Sequence, residues 1–347
     1  MSTLKVNKIR DTAGSADSIT LDPNGGAVIA GVTTVSTVKV GSGVTISSDG
    51  DVFTTGITTS STVIVGSGVT ISESGIEASG IGITCANING TQIGGRRNLI
   101  INGAMEVAQR GTSSTSDGYH TVDRIQKGEG GTDESVTQSQ SDVASGTTPY
   151  TEGFRKAFKL TNGNQTGGAD AADYARMVYS IEAQDLAKCG WNYTSSSSFM
   201  SLSFWIKSSV AQNFYFIFNT ADGGQTRTFV METGSLSADT WTKITKTFPG
   251  DSQLAFDNDT GIGCYLYIYG YLGTNYADNS VSVNAWKNVA NPQTPLNTTT
   301  WWTTNDATLE ITGLQLEVGP QATAFEHRSF GEELSLCQRS VSYTHLT

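Results

Sequence analysis

Residues 263–272 read GCYLYIYGYL, in which Tyr265, Tyr267, Tyr269 and Tyr271 alternate with Leu266, Ile268 and, after Gly270, Leu272. A period of two marks a β-strand with one face toward a core and the other toward something different. The expected strand buries its aliphatic side and sets four phenols in a row on the opposite side. RKAFKLT, FMSLSFWIKSS, NFYFIFNT, TRTFVMET, TWTKITKTF and ATLEITGLQLEV have a similar aromatic and β-branched texture, and all follow residue 97. Such strands, with turn-rich connections and no sustained helical period, predict an all-β fold and an antiparallel sandwich over residues 98–328. Two segments depart from the pattern. MVYSIEAQDLAKC at 177–189 reads either as a short helix or as a strand followed by a turn of helix, and EELSLCQR within 329–347 reads as helix.

The first 97 residues are built differently. They contain no Trp or Tyr and a single Phe, Phe53, whereas all six Trp and all twelve Tyr come later. GVTTVSTVKVGSGVTISSDG at 31–50 returns as GITTSSTVIVGSGVTISESG at 56–75, identical at fifteen of twenty aligned positions and offset by 25 residues. Short β-branched runs separated by GSG, DG and SG turns predict a β-strand repeat shaft over 31–97. Each unit is too thin to bury its apolar side alone, so stacked copies or neighbouring chains must complete the core. Exposed strand edges make threefold closure the economical solution, and a homotrimer is expected. Residues 1–30, with LKVNKIR, SITLD and the turn PNGG at 23–26, read as a hairpin-like attachment cap, and TQIGGRR at 91–97 as a hinge.

Charge narrows the partners. Lys and Arg total 21 against 32 Asp and Glu, a net charge of −11, which argues against nucleic acid. No apolar run reaches the roughly 18 residues of a membrane span, and MSTLKVNKIRD lacks the apolar stretch of a secretory signal. Neither membrane insertion nor Sec export is expected. Cys85, Cys189, Cys264 and Cys337 lie far apart without C-x-x-C spacing, which predicts free thiols rather than disulfides or a zinc site.

Several stretches resemble a known family. NLIINGAMEVAQRGT with YHTVDRI, SLSFWIKSS with DTWTKITKTF, and LEITGLQLEVGPQATAFEHRSFGEELSLCQR are similar to the tip domain of bacteriophage tail fibres and to the jelly-roll carbohydrate-binding modules of glycan-degrading enzymes. The opening STLKVNKIRDTAGSADSITLDPNGGAV resembles the N-terminal segment of tail-fibre-like proteins of marine phages. The resemblance implies a jelly roll, a location in the virion, attachment to other tail proteins, and non-covalent binding of host surface glycan. After CQR the family pattern would place a pair of aromatics, yet the chain reads SVSYTHLT; residues 340–347 look like translated adapter DNA and are given no functional weight.

Sugars present apolar C–H faces fringed by hydroxyls, so their sites combine flat rings with Asn, Gln, Asp, Glu or Arg. Tyr265, Tyr267, Tyr269 and Tyr271 are the sharpest candidates for such a site; the competing reading is a sheet face covered by a loop. Leu202, Phe204 and Ile206 share one side of their strand, leaving Trp205 to extend the stripe or to pack against its neighbours. Trp286, in the polar stretch 273–302 with Asn284 and Lys287, is a second binding candidate, while Trp301 and Trp302 read equally as staples. Trp241 reads as a buried anchor. The carboxylate pairs Glu182 with Asp185 and Asp257 with Asp259 lack the setting of a glycosidase, His120 and His327 belong to no recognisable triad, and no G-x-S-x-G turn occurs. No catalysis, cofactor or metal is expected. A structural Ca²⁺ is conceivable at Asn102, Asp123 or Glu317, although no EF-hand spacing supports it. The contrasting function is a structural virion spacer docked on another tail component.

Overall fold

A computed structural model describes residues 97–223 and 226–344, with side chains through Arg339, and short strands within the first 96 residues. The chain divides into two compact units, Met1–Ile83 and Thr84–Thr347. In the first, β1 (Lys8–Ile9), β2 (Ile19–Leu21) and β3 (Ala27–Ile29) form one antiparallel sheet, and β4 (Thr62–Val65), β5 (Val69–Ser72) and β6 (Gly75–Ala78) form another. The second copy of the repeat thus contains a hairpin in which Val65 pairs with Val69 across its GSG. The first copy, 31–50, lies outside the described residues, as does Cys85.

The second unit begins with the paired β7 (Asn87–Ile88) and β8 (Thr91–Gln92). Its body comprises β9 (Ser113–Ser114), β10 (Ile125–Gly130), β11 (Thr137–Asp142), α1 (Thr148–Thr151), β12 (Lys156–Thr161), β13 (Tyr174–Glu182), α2 (Ala183–Lys188), β14 (Phe199–Ser208), β15 (Asn213–Thr220) and β16 (Arg227–Ser235). It continues through β17 (Thr242–Pro249), β18 (Ile262–Leu272), β19 (Trp286–Asn288), α3 (Thr300–Thr303), β20 (Thr308–Val318) and α4 (Phe330–Thr344). Two six-stranded sheets result, ordered β10-β13-β18-β15-β16-β19 and β17-β14-β20-β12-β11-β9. Within them β12 pairs with β20, β13 with β18, β14 with β17 and β15 with β16, all antiparallel. This nesting, in which a long hairpin is folded across two sheets, is the jelly roll.

Alternation builds the core. Leu202, Phe204 and Ile206 of β14 face inward with Phe214, Phe216 and Phe218 of β15 and Leu266 and Ile268 of β18. Phe204 meets Phe216 edge-on, with centroids 5.2 Å apart. Each such ring contributes about 1.5–3 kcal/mol through burial. The segment 177–189 divides as β13 followed by α2, and the C-terminal helix is α4. Among the described residues no helix is long and apolar enough to cross a membrane. Cys189, Cys264 and Cys337 are free thiols; burial holds the Cys264 pKa well above the usual range and pushes that of Cys337 to about 12.

The NLIING and FEHR stretches close on each other. Asn98 donates its side-chain amide to the Leu314 carbonyl and its backbone N–H to Glu326, 2.7 Å away. Arg328 donates to the carbonyls of Asn98 and Ile100 and pairs with Glu326 and Glu333, each at 3.0 Å. Glu333 accepts the Asn102 N–H in turn. His327 has a packing role here: its ring clusters with Phe154 and Phe325, which also touch each other, and its Nε2 lies 2.9 Å from the Glu152 carbonyl.

Candidate functional site

β18 lies between β13 and β15. Tyr267 pairs with Val178 and Ile217, Tyr265 with Ser180 and Asn219, and Tyr269 with Arg176. Paired residues point to the same side of a sheet, so these eight side chains form a patch on the outer face of the sandwich. Tyr265 and Tyr267 overlap like roof tiles, with centroids 5.3 Å apart and planes inclined by 21°. Tyr267 and Tyr269 continue the row at 6.1 Å and 26°, within the offset-stacked range. The Arg176 guanidinium carbon lies 4.6 Å from the Tyr267 centroid and 5.1 Å from that of Tyr174. Gly128 of β10 pairs with Arg176, and a Cβ there would lie 3.3 Å from its Nε.

The alternation breaks at Gly270. Arg176 pairs with Tyr269 and Ala175 with Tyr271, leaving Gly270 as the extra residue of a β-bulge. Tyr271 therefore turns into the core, 4% exposed, with its ring 5.0 Å from Trp302. Leu272 turns outward to join Ile217, Val230, Tyr269, Ala277 and Val281. The expected row of four phenols over an aliphatic core face is thus corrected to a row of three. Trp301 favours the bulge at this position, since a Cβ on Gly270 would lie 2.9 Å from its ring.

The row also divides lengthwise. Tyr269 points outward but is fully buried beneath residues 276–283, and its hydroxyl donates to Gln293 across 2.7 Å. Tyr265 and Tyr267 remain half-exposed. Burial raises the pKa of Tyr267 and raises that of Tyr269 strongly, so both phenols stay protonated donors well above neutral pH.

Trp205 does not extend this stripe. It stands on β14, in the other sheet, 7% exposed among Val143, Phe154 and Ala157. Its indole N–H donates to Glu152 across 3.2 Å. Trp286 likewise leaves the loop context: as part of β19 it packs on Phe218, Phe229 and Phe248, donating to the Pro249 carbonyl across 2.8 Å. Lys287 is tied to the carbonyls of Ala290 and Pro292. Trp301 and Trp302 are fully buried staples whose carbonyls accept from Asn162. Trp241 is half-buried beside Lys207, whose Nζ stands 5.2 Å from its centroid.

Of the carboxylates considered for catalysis, Glu182 and Asp259 have structural partners, and Asp257 stands beside a second carboxylate. Glu182 accepts from Gln184 and Arg339, Asp259 accepts the Gly261 N–H, and Asp257 lies beside Asp222, which raises its pKa. The calcium candidates are similarly engaged: Asn102 with Val107 and the Asp123 carbonyl, Asp123 with Gln109, and Glu317 with Gln315 and Thr323. Among the described residues no group of three or more His, Cys, Asp or Glu is placed to hold a metal ion.

Inspection of the sequence missed Arg176, Ser180 and Asn219. YARMVYSIE does place Arg176, Val178 and Ser180 on one side of a strand, but nothing local says that the neighbouring strand is β18.

No family model matches the chain, and no curated protein matches it. Solved structures that match part of the chain include the enzymatically active domain of tailspike protein 4 of bacteriophage CBA120, at 8% identity and a TM-score of 0.33 over 64% of this chain. The match spans only 21% of that tailspike domain. A family 11 carbohydrate-binding module from a Clostridium thermocellum cellulase matches at 16% identity and a TM-score of 0.28, over 62% of this chain and 98% of its own. A xylan-binding domain from Paenibacillus barcinonensis matches at 10% and 0.30, over 66% and 100%.

Proposed function

We propose that the sandwich binds glycan without cleaving it, on the outer face of β18. The observation that carries this reading is the half-exposed, offset-stacked pair Tyr265 and Tyr267, set beside Arg176, Ser180 and Asn219. The rings offer C–H contact to a sugar, and the half-buried Arg176 guanidinium offers donors to its oxygens, while Asn219 is held by Thr228 and Thr220. Alternate strand residues lie roughly 6.6 Å apart, of the order of one sugar ring. The finer reading is a tail-fibre adhesin of a phage virion, with residues 1–97 as cap and shaft and a homotrimer presenting three sites. It is supported by the resemblance of the NLIING, FEHR and N-terminal stretches and by the repeat. Linking weak sites raises avidity by roughly 10² to 10⁴, so a shallow platform suffices.

The test is retention of the full chain on polysaccharides from candidate host surfaces, with Tyr265→Ala plus Tyr267→Ala as the site variant and Trp205→Phe as the control. Retention lost in the double variant, kept in the control and accompanied by no release of reducing ends is the expected result. No retention on any susceptible host would favour the structural spacer, and released sugar would establish catalysis.

A further inference from the structure

The tyrosine platform carries a cation for which the fold supplies no anion. Arg227 holds Asp251, Arg328 holds Glu326 and Glu333, and Arg339 holds Glu182. Arg176 has no ion-pair partner among the described residues, and its Nε is buried without a hydrogen bond. The side chain is held between Tyr174 and Tyr267, while its register partners, Gly128 and Tyr269, bring no charge. Ser180 Oγ, further along the same side of β13 and paired with Tyr265, is also buried and unbonded. Two unmet polar atoms therefore flank the rings proposed to hold a sugar. Burying polar groups without partners costs free energy; the fold itself covers these two atoms, and what a ligand can meet is the remainder of the half-buried Arg176 guanidinium beside Tyr267.

We infer that the glycan taken by this face is acidic, and that Arg176 reads an anionic substituent, a carboxylate or a sulfate, on the sugar resting against Tyr267. The inference rests on the glycan-binding reading above. A guanidinium offers a planar fork of donors that matches both oxyanions and forms charge-assisted bonds about twice as strong as neutral ones. A neutral sugar would leave that charge without a counterpart. The chain's net charge of −11 opposes general attraction to polyanions, so affinity for an acidic polymer must come from a local contact.

The deciding experiment is affinity electrophoresis of the full chain in gels containing alginate, which carries carboxylates, dextran sulfate, which carries sulfates, or neutral dextran. Wild type is compared with Arg176→Gln, with Arg176→Lys, and with Lys243→Gln on the other sheet as a control for one lost charge. Retardation by alginate or dextran sulfate, weakened by salt, is expected. Arg176→Gln should weaken it about tenfold or more, Arg176→Lys less, and Lys243→Gln hardly at all. Which gel retards the protein identifies the oxyanion. Retardation by dextran alone, or retardation unchanged by Arg176→Gln, would overturn the acidic assignment while leaving glycan binding intact. Absence of retardation in all three gels, together with failure to bind host polysaccharide, would overturn both. Thermal melts of the Arg176 variants, with lysine preserving charge and stem packing, separate loss of the contact from loss of the fold.

Discussion

The sandwich has two outer faces, and both carry aromatic rings. On the sheet around β14, Trp205 is enclosed: Phe154 packs on it, its N–H is taken by Glu152, and Lys243 sits 5.7 Å from its centroid. On the sheet around β18, Tyr269 is covered in the same way, but the covering chain leaves Tyr265 and Tyr267 half-exposed, beside the buried, unbonded Arg176 Nε and Ser180 Oγ. The difference lies in what later segments of the chain do with the polar atoms around the rings. An outward-facing ring stays open where no later segment covers it, and on the proposed reading that opening is what a ligand would use.

The contrast can be broken at its closed end. Trp302→Ala removes a fully buried ring that packs on Tyr271 and donates to the Gly168 carbonyl. It should cost about 3–5 kcal/mol in urea unfolding, the largest effect expected here. Gly270→Ala tests the bulge that separates Tyr271 from the row. Its new Cβ would lie 2.9 Å from Trp301, and a loss of about 1–3 kcal/mol is expected in thermal unfolding. An unchanged midpoint would mean that the residue after Tyr269 does not need to be glycine. The smallest effect is in titration. Burial raises the Tyr267 pKa, and that of Tyr269 further, above the unfolded value of about 10. The neutral phenol is thus the form the fold favours. Its contribution is fully present below pH of about 10 and is lost as pH rises through the folded values. Ultraviolet titration should show Tyr267→Phe removing an earlier step than Tyr269→Phe; the reverse order would undo the division into open and closed ends.

Much of the sandwich was legible because its determinants are local. Period two in FMSLSFWIKSS placed Leu202, Phe204 and Ile206 correctly, and the same rule placed Tyr265, Tyr267 and Tyr269 on one side of β18. It failed at Gly270 because the tryptophan that disfavours a side chain there comes from Trp301, on a different element. The choice between Trp205 extending the stripe and packing against its neighbours stayed open for a related reason: alternation says which side of a strand a residue takes, not which sheet the strand joins. Arg176 was overlooked because its setting depends on the β13–β18 register, a long-range pairing between residues 176 and 269.

The clamp between Asn98 and Arg328 has a practical consequence. It fastens the place where the chain enters the sandwich to the place where it leaves, through Glu326 and Glu333. Domains whose two ends lie together tolerate being spliced into unrelated proteins. A graft of the sandwich into another carrier would have to keep α4 past residue 333, because its Cys337 is buried against Ile101 and Val107.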